Sequence, residues 1–252
     1  MLQSIQNLRS VDRDYYPAPR NLLLASLHED DFAVLAPYLK RIELRGGQRI
    51  ACSASEVVRA CFPETLVASV GEVMADGSRF EVGLIGCEGL LGWPILLGSA
   101  HSHHSGIAQL GGGTAMVMPA ATLVELCEHN RGLHIALLRF VQSFTVQMGR
   151  TIVTNLRDGI DKRLSRWLLM LHDRIEGDAL TVTHSELSVA LHVRRASVTD
   201  WLHVLEGDRV LRCTRGQIVI RDRAALTVVA GESYGPAEAS YRAHIGDFGK
   251  SD

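Results

Sequence analysis

Residues 192–201, HVRRASVTDW, read as the start of a helix that opens with two arginines, Arg194 and Arg195. The N-terminal end of a helix carries the positive end of its dipole, so cations there are mildly unfavourable and anions are welcome. Two guanidinium groups at that end make chemical sense against an external anion. The natural candidate is a nucleic-acid duplex, because arginine bonds bidentately to guanine O6 and N7 in the major groove. Two other groups invite chemistry. HSHHS (101–105) places three histidines in four positions, a pattern that can ligate a transition metal. Glu88 lies in an apolar, glycine-containing run, VGLIGCEGLLGWPILLGSA, with Cys87 beside it.

The elements that must position these residues follow from local pattern. LTVTHSELSVALHV reads as a helix from about His184 to Leu191, with Thr183 as N-cap and Glu186 three residues on, the capping-box spacing. A tight turn leads to a second helix, about Arg195 to Glu206. Val198, Trp201, Leu202 and Leu205 form its buried stripe, and Arg194, Arg195, Ser197, Thr199 and Asp200 are left outside. Ser188 is small, as a close helix crossing requires. VLRCTRGQIVIRD then reads as a β-hairpin. Helix, turn, helix and hairpin match the arrangement that inserts the N-terminal end of a second helix into the major groove. Thr183, His184, Arg194, Arg195, Ser197, Thr199 and Asp200 are accordingly the candidate DNA-binding residues. From 157 to 223 there are 12 Lys+Arg against 10 Asp+Glu, a net of +2. Binding should therefore rest on a few placed contacts and on bivalence rather than bulk charge.

Upstream the texture changes twice. Residues 1–20 are polar and proline-containing and read as an arm; NLLLASLHEDDFAVLAPYLK begins a helical stretch. From Arg41 to about Met118, short β-rich runs alternate with turn residues, and Asp76-Gly77 between two alternating runs signals a hairpin. Such a series suggests a barrel or sandwich. After a short helix, RGLHIALLRFVQSFTVQMGRTIVTNL forms one long helix spanning roughly 36 Å. Leu133, Leu137, Phe140 and Phe144 recur at coiled-coil-like spacing and continue through Met148, Ile152 and Leu156. A helix this long outgrows a small barrel, so this stripe is read as a homodimer seam. The segment after Ala230 is polar and glycine-containing and is expected to be disordered or loosely docked.

Bulk properties fit a globular protein of 252 residues with net charge −2. Five scattered cysteines, with no CxxC pair, suit a reduced cytoplasmic protein. The N-terminus has no apolar core of a signal peptide, and the most apolar run contains Glu88, five glycines and Pro94, unlike a membrane span. No Ser/His/Asp, Walker or Rossmann pattern is present, so neither an enzyme nor a cofactor is expected. A second reading takes His101 and His103, with His104, as the HxH pair of a cupin-like metal enzyme or metal sensor. That motif wants a glutamate a few residues on, and the next is Glu125, beyond the strands. HSHHS is therefore read as a polar loop at a strand end, with no metal.

The order β-roll, long helix, helix-turn-helix with wing resembles the Crp/Fnr family of bacterial transcription regulators over roughly residues 21–228. NLLLASL, FEVGLIGCEGLLG, KRLSRWLLMLHDR and LTVTHSELSVALHVRRASVTDWLHVLEGDRVL carry the resemblance. It implies an α+β fold: an N-terminal double-stranded, jelly-roll-like β-roll (21–130), a dimerisation helix (131–156), a C-terminal winged helix-turn-helix (157–228) and a tail (229–252). It implies homodimers on two-fold symmetric, double-stranded operators, with RNA polymerase as a further partner to consider. By resemblance Arg195 falls at the family's base-reading position, and Ser197 and Thr183 at phosphate-contacting ones. Asp200 replaces a second base-reading arginine of the catabolite-activator branch, which implies a different operator. His192 stands at a turn position often held by glycine and tolerates a left-handed conformation. Cyclic-nucleotide members use a glutamate for the ribose and an arginine for the phosphate. Gly86 and Glu88 roughly match the first, but no Lys or Arg occurs between Phe80 and Asn130. Cyclic-nucleotide binding is not expected, and Glu88, His101, His103 and His104 are kept as candidate effector-pocket residues.

Overall fold

The computed structural model describes residues 19–51 and 54–250. The expected arm therefore lies, apart from Pro19 and Arg20, outside the described residues. Helices α1 (Leu22–Ala25) and α2 (Glu29–Leu35) lead into strands β1 (Lys40–Arg45), β2 (Arg49–Ala51), β3 (Ser55–Glu56), β4 (Arg59–Pro63), β5 (Ala68–Val73), β6 (Arg79–Ile85), β7 (His101–Ser102), β8 (Ser105–Ala108) and β9 (Gly112–Pro119). They pair antiparallel as β1-β9-β4 and β2-β8-β5-β6, with β3–β7 as a separate pair. The Asp76-Gly77 hairpin joins β5 to β6 as expected: Gly77 sits at φ +82°, and the Asp76 carboxylate accepts from the Ser78 N–H and hydroxyl at 2.9 and 2.6 Å. Leu44 and Phe62 from one sheet and Ala68, Val70 and Ile85 from the other share one core.

Helix α3 (Ala120–His129) turns into the 27-residue α4 (Arg131–Arg157), and Asn130 caps the second by accepting from the Leu133 N–H. Then follow α5 (Ile160–His172), β10 (Ala179–Leu180), α6 (His184–Leu191), α7 (Arg195–Gly207), β11 (Leu211–Thr214), β12 (Gln217–Ile220), α8 (Arg223–Ala230) and α9 (Pro236–His244). Strands β10, β12 and β11 form a small antiparallel sheet. A second core gathers α5 to α8, and Val67 and Leu84 of the roll enter it, so the C-terminal unit packs on the roll. The expected α+β architecture of roll, long helix and C-terminal helix-turn-helix is the one found.

Two expectations need correction. Leu133, Leu137, Phe140 and Phe144 are not a partner-facing seam. All four are at most 2% exposed, packed into the core of the chain's own roll, and Met148 packs partly against the same core. The roll is bald where the two aromatics land: a Cβ on Gly89 would sit 2.3 Å from the Phe140 ring, and one on Gly83 2.9 Å from Phe144. Bulky side chains on α4 thus fill glycine-floored hollows in the roll. Ile152, in contrast, is 60% exposed.

The tail is not loose. Ala237, Tyr241 and Phe248 are buried, and α9 lies along α4. The polar composition hid three apolar side chains that share one face of the tail.

Candidate nucleic-acid interface

Helix α6 begins where the sequence places it. Thr183 caps it with extended backbone; its hydroxyl accepts from the Glu186 N–H at 3.2 Å, and the Glu186 carboxylate returns to the Thr183 N–H at 2.7 Å. The Thr183 hydroxyl also donates to Glu186 at 2.7 Å, so this exposed oxygen is already held by the box. The helix ends at His192, whose left-handed backbone (φ 51°, ψ 51°) lets its N–H reach back to Ser188 and Val189. That geometry is the αL helix stop usually made by glycine or asparagine. The His192 ring also lies tilted against Phe80 of the roll, centroids 4.3 Å apart.

Arg194 then caps α7 with extended backbone, and Val198, Leu202 and Leu205 bury its inner stripe. Trp201 is partly buried against the same core. Arg194, Arg195, Ala196 and Asp200 are exposed on the outer side. Ser197 is half-buried. Neither arginine is in an ion pair or hydrogen bond with another described side chain, so the cationic start of α7 is open. His184 and Thr199 behave differently. They bond to each other, Nδ1 to Oγ1 at 2.9 Å, while the Thr199 hydroxyl reaches the Arg195 carbonyl at 3.1 Å. They therefore tie α6 to the first turn of α7 and hold Arg195 in place. Burial, then the charge of Arg195, keeps the His184 imidazole below its ordinary pKa.

Residue-type reasoning missed two sets of groups. His203 is exposed one turn beyond Thr199, on the outer side of α7. Arg212 on β11 and Arg215 in the β11–β12 turn are exposed on the hairpin beside it, with Gly216 at φ +75° shaping the turn. Helical spacing from Arg195 could have found the first. The hairpin was read correctly, but a strand pattern does not say which of its arginines face outward.

The candidate effector residues do not form a site. Glu88 is buried and fully engaged: Oε1 accepts from Arg174 Nη2 and Nε at 2.7 and 3.0 Å, and Oε2 accepts from the Gly86 N–H at 3.0 Å. The cation absent from 80–130 arrives from the end of α5, 86 residues away in sequence. His101 and His103 are exposed at β7 and in the loop after it, and His104 is half-buried, 6.0 Å from Trp93. Among the described residues no three His, Cys, Asp or Glu side chains converge as metal ligands. Burial and the neighbouring Glu88 push the Cys87 thiol up to about 12, away from the reactive thiolate.

The sequence model of a Crp-like helix-turn-helix domain matches residues 162–229. No curated protein matches the chain. Among solved structures, FixK2 of Bradyrhizobium japonicum superposes with a TM-score of 0.67 at 14% identity, covering 77% of this chain and 98% of its own. A CRP-family transcriptional regulator of Thermus thermophilus gives 0.61 at 21% identity, covering 77% and 97%. The c-di-GMP-responsive global regulator CLP of Xanthomonas campestris gives 0.61 at 14% identity, covering 77% and 99%. The chain thus carries a Crp-like helix-turn-helix domain at residues 162–229, joined to a β-roll and long helix in the fold of the Crp/Fnr regulators.

Proposed function

We propose that the protein is a sequence-specific DNA-binding transcriptional regulator that acts as a homodimer on a two-fold symmetric operator. The observation that carries this reading is the open cationic start of α7, exposed beside the arginine-bearing β11–β12 hairpin. Arg195 is the base-reading group and Arg194, Ser197, Arg212 and Arg215 hold the phosphates on either side, while His184 and Thr199 set the pose of Arg195. Asp200 suits an exocyclic amine rather than a guanine edge.

A second stripe on α4 supports the dimer. Ile135, Leu138, Gln142, Thr145, Gly149, Ile152 and Leu156 follow alternating steps of three and four. Ile135, Ile152 and Leu156 are 41%, 60% and 85% exposed, on the side away from the roll. We place the homodimer seam there, and Gly149 allows close approach of a second copy. Glu88 is closed by Arg174, so binding needs no ligand at that carboxylate. No described helix is long and apolar enough to cross a membrane.

The test is selection of genomic fragments by the purified chain with no small molecule added. Enrichment of a two-fold symmetric site is expected. Arg195→Ala should lose that preference and keep the mass of a dimer; a variant that still prefers the same site would overturn the assignment of Arg195.

A further inference from the structure

The C-terminal segment touches three bodies at once. It leaves α8 and crosses the joint between α4 and α5, where the Ser233 hydroxyl donates to Asp158 at 2.6 Å. The Tyr234 hydroxyl then donates to Asp173 at the end of α5, at 2.6 Å, and accepts from Arg223. Helix α9 next runs along α4, with Ala237 and Tyr241 beside Phe140, Ser143, Phe144 and Gln147. Tyr241 is 2% exposed and packs with the roll core; the Phe248 ring lies tilted against it, centroids 5.1 Å apart. The Arg174 guanidinium lies 5.0 Å over the Phe248 ring, so the two aromatics roof the Glu88–Arg174 pair that links roll and C-terminal unit. The chain returns to Asp173, which accepts from the Lys250 N–H at 3.1 Å.

Beneath this strap the covalent link between α4 and α5 is short: Asp158 and Gly159, both extended. Two extended residues, one a glycine, cannot hold the unit at a fixed angle to α4. The non-covalent contacts that hold the unit include the roll–unit packing through Val67 and Leu84, the His192–Phe80 ring contact, the bond from Arg166 on α5 to the Thr151 hydroxyl on α4 at 3.1 Å, the buried ion pair and the strap.

We infer that residues 231–250 are a positioning strap that fixes the helix-turn-helix unit on α4 and thereby selects the spacing of the two operator half-sites. The inference rests on the homodimer reading above. In a two-fold dimer joined through α4, the orientation of each unit on its own α4 sets the separation of the two recognition helices. A duplex presents half-sites only at helical-turn intervals. A strapped unit is therefore preorganised for one spacing, and a released unit samples many. Affinity falls by the fraction of time the unit is correctly placed. Tyr241 and Phe248 are positioning residues: they lie under α4 and α5, not on the α7 face.

The experiment compares the full chain with Tyr241→Ser/Phe248→Ser and with Tyr241→Phe. The readouts are selection from a library of half-sites at variable separation, sedimentation, and hydrogen exchange at residues 86–89 and 157–163. The double serine variant should stay dimeric and keep the half-site sequence. It should accept several spacings, bind the preferred site about tenfold more weakly, and exchange faster at both segments. Tyr241→Phe should behave as wild type, because the Tyr241 hydroxyl is buried with no hydrogen-bond partner. If the double variant does not fold, Phe248→Ser alone frees the outer end of the strap and should broaden the spacing. Faster exchange with an unchanged single spacing overturns the strap. A wild-type chain that selects no two-fold site overturns the operator reading and, with it, the spacing claim.

Discussion

At Glu88 the sequence shows a carboxylate in an apolar run with no cation nearby, and a reader must choose between a ligand and a distant partner. The structure chooses the partner. Arg174 is 3% exposed and Glu88 2%, and two guanidinium N–H groups of Arg174 donate to one Glu88 oxygen. Removing one member of such a pair strands the other without solvent, whereas replacing both with apolar groups does not. Glu88→Ala should therefore lose about 3–5 kcal/mol of unfolding free energy. Glu88→Leu with Arg174→Met should lose far less, both by urea denaturation. Equal losses would mean that the pair acts through packing alone. Which arginine answers a buried glutamate is not legible from spacing, because the partner sits in another core. The residues at the starts of α6 and α7 were legible, since capping chemistry and helical period act within one turn. Thr183, Glu186, His192 and Arg195 all sit where local rules put them.

Helix α4 shows what periodicity does and does not decide. Its length and start were readable, but it carries more than one apolar stripe, and the expected seam ran from the buried one at Leu133–Phe144 into the exposed one at Ile152 and Leu156. The steric reason lies off the helix: Gly83 and Gly89 leave room on the roll for Phe144 and Phe140. A third face bears Ser143, Gln147, Thr151 and Thr154, all buried, and Gln147 clamps β6 by accepting from the Leu84 N–H at 2.7 Å and donating to the Leu84 carbonyl at 3.1 Å. The stripes separate experimentally. Leu137 is fully buried in the protomer, so Leu137→Ala should cost about 2–5 kcal/mol and leave the sedimenting mass unchanged. Ile152→Glu places a charge on the solvent stripe; it should yield a folded monomer with the far-ultraviolet spectrum of the parent. A dimeric Ile152→Glu chain would show that the copies meet elsewhere.

The whole molecule is coupled through buried polar groups, and its buried histidines give stability a pH term of definite sign. His172, at the end of α5, uses both ring nitrogens: Nε2 donates to Asp178 at 2.9 Å, and Nδ1 accepts from Arg223 at 3.0 Å. Arg223 in turn holds Asp173, on which the tail closes. A proton on Nδ1 would face the Arg223 guanidinium, so only the neutral ring fits. Burial foremost, with Lys250 and Arg223 against a partial offset from Asp178, keeps His172 below 6.5. Burial likewise lowers His104 and His184. In the unfolded chain these rings return to about 6.5 and take up protons first. The unfolded state thus binds more protons as pH falls through 6.5 towards the folded values, and stability declines across that window. Above it the three histidines contribute no slope. Asp178 and Asp76, held below the usual carboxylate value by bonds from His172 and Ser78, act only at lower pH, near and below 3.8. Urea midpoints should be level from about pH 8 to about pH 7 and fall towards about pH 5. His172→Gln keeps a donor for Asp178 and an acceptor for Arg223 without a titrating ring, and should flatten part of that fall. A midpoint that rises on acidification would show that these histidines gain protons in the folded state, and would remove the neutral His172 from the network that joins α5, α8 and the tail.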